Sequence, residues 1–69
     1  MINRQIFQNQ VMRLLEQDTY LRVSYVSSKL IVSKPTTRRL LNAMVKEHIQ
    51  KKELKLYSGN AYEYLYSRF

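Results

Sequence analysis

Sixty-nine residues make one domain (1–69) at most, close to the lower size limit for folding alone. The absence of cysteine excludes disulfides and a thiolate zinc site as supplements to the core, so apolar packing must supply the stability. Twelve Lys/Arg against five Asp/Glu leave a net charge of +7, an excess that attracts polyanions to so small a body.

From the N-terminus, Ile6, Phe7, Val11, Leu14 and Leu15 recur at spacings of three and four, one stripe of an amphipathic helix over Asn3 to Gln17. Asn3 suits its N-cap. Asp18-Thr19-Tyr20 breaks the pattern, and Leu21-Arg22-Val23 alternates briefly, as a short strand or as the lead-in to the next element. Ser24 can cap a second, short helix from Tyr25 to about Ile31, with Val26, Leu30 and Ile31 facing inward. Ser33-Lys34-Pro35 is the clearest punctuation: a favoured N-cap followed by a proline tolerated in a first helical turn. The third helix, about 34–47, turns Thr37, Leu40, Leu41, Met44, Val45 and His48 to one face, and Arg39, Asn42, Ala43 and Lys46 to the other. From Ile49 the period becomes two. Ser58-Gly59-Asn60 holds the single glycine, a turn signal, and the run from Ala61 to Tyr66 alternates again. The expected fold class is α+β: three helices followed by a two-stranded β-hairpin.

Two helices joined by the tight link Ile31-Val32-Ser33, the second opening Ser-Lys-Pro-Thr-Thr-Arg-Arg, with a hairpin behind them, resemble the winged helix-turn-helix superfamily. The resemblance runs through 23–30 and 32–41 and continues with Met44, His48-Ile49 and Gln50-Lys51-Lys52, covering almost the whole chain with generic motifs. Size and layout look most like the very small regulators of pilus operons or of phage and plasmid control genes. His48 stands where many members carry a glycine in a left-handed cap, a conformation histidine can enter.

The resemblance implies sequence-specific binding of double-stranded DNA and regulation of transcription, without catalysis or cofactor, in the cytoplasm at the nucleoid. Helix three would lie in the major groove and the wing, about 49–66, on the adjacent backbone or minor groove. Arg39, Asn42 and Lys46, flanked by Thr36 and Arg38, are the expected base-facing side chains, since arginine pairs with guanine and asparagine with adenine. Ser33, with the amides at the helix start, suits a phosphate, and Lys29 and Lys34 are expected to hold the backbone. Lys51, Lys52 and Lys55, with Asn60 at the tip, are the expected wing contacts.

Tyr57, Tyr62, Tyr64, Tyr66 and Phe69 exceed what a small core needs. They read as a cross-strand aromatic ladder, as a stacking surface for single strands, or as a homodimer surface. Helix one is the other expected dimer element. An enzyme is disfavoured: no nucleophile–base set, glycine-rich phosphate loop or paired acids are present. Lone His48 gives no metal site, and no apolar run is long enough to span a membrane, so a soluble, intracellular protein is expected. The alternatives are a winged-helix module for a protein partner and a non-specific nucleic-acid binder.

Overall fold

A computed structural model describes residues 3–55 and 62–69. The order is α1 (Arg4–Leu14), α2 (Val23–Leu30), α3 (Lys34–Met44), β1 (Gln50–Lys55) and β2 (Tyr62–Ser67). Three helices thus precede an antiparallel pair, with Gln50 opposite Ser67, Lys51 opposite Tyr66 and Lys55 opposite Tyr62. The Ser58-Gly59-Asn60 turn and Tyr57 lie outside the described residues. No helix among the described residues is long and apolar enough to cross a membrane.

The Asn3 side chain caps α1, accepting from the amides of Gln5 (2.7 Å) and Ile6 (3.3 Å). Phe7, Val11 and Leu15 form a row at spacing four and are buried. That row sets the rotation of the helix, so Ile6, about 100° around from Phe7, is 53% exposed and not part of the inward stripe. The helix stops at Leu14, and turn bonds from Glu16, Gln17 and Asp18 back to Arg13 and Leu14 carry the chain to the point where the periodicity had placed the helix end.

Leu21 exchanges two backbone bonds with Tyr66, of 2.7 and 2.9 Å, so the brief alternation there is a single antiparallel bridge on the free side of β2. α2 begins at Val23, earlier than the expected Tyr25, and Ser24 lies inside the helix and does not cap it. Arg22 holds the cap position with no side-chain hydrogen bond. The chain entering α2 is held instead by the Leu21 bridge before it and by a partly exposed Arg22–Glu63 ion pair at 3.4 Å.

At the end of α2, Ile31 adopts a left-handed conformation (φ 54°, ψ 53°) and is 91% exposed, contrary to the inward position expected of it. The reversal swings its side chain out, while Val32 is partly buried. The Val32 carbonyl accepts from Ser27 Oγ and from Thr37 Oγ1 (3.4 Å), which satisfies buried Thr37. Ser33 then caps α3, with Pro35 in the first turn, as the punctuation predicts.

α3 ends at Met44, a turn short of the expected 47. Val45 is extended, Lys46 has φ 86°, and the amides of His48 and Ile49 both bond to the Met44 carbonyl. This sharp turn drives Ile49 into the core, where it is fully buried. Burying Ile49 therefore outweighs another helical turn, and the left-handed residue is Lys46 and not His48. The core unites Phe7, Val11, Leu15, Leu21, Val26, Leu41, Met44, Ile49 and Tyr66; complete burial of such a side chain is worth ~1.5–3 kcal/mol.

Candidate nucleic-acid interface

The surface of α3 divides by helical spacing. Thr37, Leu41 and Met44 face the core. Lys34, Arg38 and Asn42, spaced by four, form the row beside the hairpin. Lys34 and Arg38 line a cleft there with Val23, Ser24, Tyr62, Glu63 and Tyr64. On the other flank Thr36, Arg39 and Leu40 border a groove that also takes in Arg4, Leu30, Ile31 and Val32. Lys34, Arg38, Arg39 and Asn42 are exposed and Thr36 is partly so.

Among the described residues, the ion pairs within 4.0 Å are Arg22–Glu63 and a loose His48–Glu47 contact at 3.9 Å. Although Glu63 shares the cleft with Lys34 and Arg38, none of Lys34, Arg38 and Arg39 has a carboxylate within 4.0 Å among the described residues. They stand together in the first half of α3, where the amides of the helix start add a further partial positive charge. Ser33 is occupied locally: its hydroxyl accepts from the Thr36 amide (3.4 Å) and donates to Thr36 Oγ1 (2.9 Å).

Asn42 is tied to the hairpin. Its Oδ1 accepts from Tyr66 Oη at 2.8 Å and from Lys51 Nζ at 3.1 Å. The same Lys51 ammonium lies 4.0 Å from the Tyr64 ring centre and 5.9 Å from that of Tyr66, within the range of a cation–π contact. Burial pushes the Tyr66 hydroxyl above the usual tyrosine pKa; the nearby Arg38 charge partly offsets this and Tyr64 adds to it.

The structure brings Lys34, Arg38, Asn42 and Lys51 to one junction, with Arg39 and Thr36 on the adjoining flank. It separates others. Lys46, expected on the outer face of α3, lies beyond the helix in the turn, because the backbone has already left helical geometry at Val45. Lys52 is opposite Leu65 and so faces away from the side of the sheet that carries Lys51 and Tyr66. Lys29, in the last turn of α2, is exposed, its ammonium 5.8 Å from the Tyr25 ring centre. Lys55 pairs with Tyr62 through the backbone; its side chain and Asn60 lie outside the described residues.

Sequence reasoning missed how the tyrosines serve α3. Tyr62, Tyr64 and Tyr66 share one face of β2 and run from half-exposed to buried as they approach the core. Their period of two was readable. Their register against Lys51 was not, because it depends on how the chain turns between the strands.

Among the described residues, no group of three or more His, Cys, Asp or Glu is placed to hold a metal ion. No protein-family model, curated protein or solved structure matches this chain.

Proposed function

We propose that the chain is a winged helix-turn-helix regulator of transcription that binds duplex DNA, with α3 in the major groove and the hairpin on the neighbouring backbone or minor groove. The observation that carries this reading is the set of exposed cations Lys34, Arg38 and Arg39 on α3, without a carboxylate within 4.0 Å among the described residues, continued onto the hairpin by Lys51. A major groove admits one α-helix, and its base edges offer the acceptors that guanidinium groups pair with. Arg39 stands on the flank away from the hairpin and is the first base reader on this reading. Lys34, Lys29 and Lys51 hold phosphates and fix register.

The test is a titration of wild type and Arg39→Ala against a random duplex pool at two salt concentrations. The expected result is a selected motif that Arg39→Ala loses or relaxes at one position, with a loss of ~1–3 kcal/mol on the best site. Steep salt dependence without selection, unchanged in the variant, would replace regulation by non-specific binding. Absence of binding at moderate salt would sink the reading. A protein partner would then be sought at the exposed Ile31, beside Leu30, Val32 and Leu40, the feature that favours the alternative of an interaction module.

A further inference from the structure

We propose that Asn42 is a latch that fixes the hairpin against α3, a positioning residue and not a base reader; the inference rests on the reading of this junction as the DNA-binding surface. An amide carbonyl oxygen has two lone pairs. Tyr66 Oη and Lys51 Nζ each direct a proton at Asn42 Oδ1, at 2.8 and 3.1 Å, so its accepting capacity is filled. Recognition of adenine by asparagine needs that oxygen to accept from the base while the amide nitrogen donates to it. Lys51 has protons to give and no lone pair when charged, so its contact fixes the oxygen, and not the nitrogen, at this position.

The latch joins all three elements of the interface at one atom: α3 through Asn42, β1 through Lys51 and β2 through Tyr66. Tyr66 is fully buried and bonded through its backbone to Leu21, so it presents a rigid donor. Lys51 is held a second time by the Tyr64 ring at 4.0 Å. A swing of the hairpin away from α3 must break both bonds to Asn42 and withdraw the ammonium from between the strand aromatics and the helix. The separation between the α3 cations and the Lys51 charge is thereby set before any partner arrives, which lowers the ordering cost of binding.

Tyr66→Phe gives the sharpest test, because a fully buried residue cannot touch DNA and the phenyl ring preserves the packing. Amide hydrogen exchange of the free protein is followed in wild type, Tyr66→Phe and Asn42→Ala, with duplex binding measured on a selected site and on scrambled DNA. Exchange at Lys52, Leu54 and Leu65, whose amides face the partner strand, is expected to accelerate about tenfold in both variants. Binding is expected to weaken by the same factor on both duplexes, and the double variant is expected to fall short of the sum of the singles. Absence of acceleration at these amides overturns the latch. So does a change of preferred base in Asn42→Ala that Tyr66→Phe does not share. If wild type binds no duplex, the functional reading fails, while the exchange data still decide whether the latch holds the hairpin.

Discussion

Two junctions set the shape of this molecule, and each is organised around one oxygen that receives two donors. Between α2 and α3 it is the Val32 carbonyl, which accepts from Ser27 and Thr37. Between α3 and the hairpin it is Asn42 Oδ1, which accepts from Tyr66 and Lys51. The first acceptor belongs to the main chain and survives every substitution at its own position except through geometry. The second belongs to a side chain and vanishes with one. Each junction also contains a non-glycine residue at positive φ, Ile31 at 54° and Lys46 at 86°, where glycine would suffer no steric cost. Both junctions thus combine a backbone reversal with side-chain bonds, and they differ in whether the shared acceptor belongs to the main chain or to a side chain.

Asn42→Ala breaks the comparison at its weaker side. It leaves the buried Tyr66 hydroxyl without its acceptor and should lower stability by ~1–3 kcal/mol in denaturant unfolding. Thr37→Val keeps the shape and removes one of the two donors at Val32, with Ser27 remaining. A loss of ~1 kcal/mol is expected, smaller than that at Asn42; a larger loss would reverse the ranking of the two junctions. Ile31→Gly and Lys46→Gly each relieve a left-handed β-carbon and should stabilise by ~1 kcal/mol or less in thermal unfolding, since glycine's greater unfolded entropy offsets part of the relief. Destabilisation by Ile31→Gly would show that its exposed side chain contributes packing that the free fold does not display.

The smallest effect is one of pH. Burial raises the Tyr66 pKa, so the folded state keeps that proton longer than the unfolded chain does. The corresponding stability is fully present below about pH 10, the ordinary tyrosine value, and is lost as the pH rises from there through the folded value. A pH series of melts should show this decline in wild type and less of it in Tyr66→Phe.

Local signals in the chain were read well. Asn3 and Ser33-Lys34-Pro35 cap their helices as their chemistry demands, and the shift from helical to alternating period at Ile49 marks the start of the hairpin. What escaped depends on distant partners. The start of α2 is set by a bridge and an ion pair to β2, so Ser24, a sound cap in isolation, lies inside the helix. The end of α3 is decided by the burial of Ile49, although the apolar spacing runs on to His48. The spacing locates the exposed side of α3, but the neighbours of Asn42 there, Lys51 and Tyr66, come from two strands whose register the alternation does not encode.

The Leu21–Tyr66 bridge also has a kinetic consequence. The contacts between α2 and α3 are near neighbours along the chain and can form as soon as both helices do. The bridge closes a loop that contains both of those helices and the whole of β1. Forming it costs chain entropy before any of its reward is collected, and such non-local pairings slow folding far more than they alter stability. The rate at which this domain reaches its native state should therefore fall as the segment between β1 and β2 is lengthened, but only slowly, since each doubling of a closed loop costs about 0.6 kcal/mol.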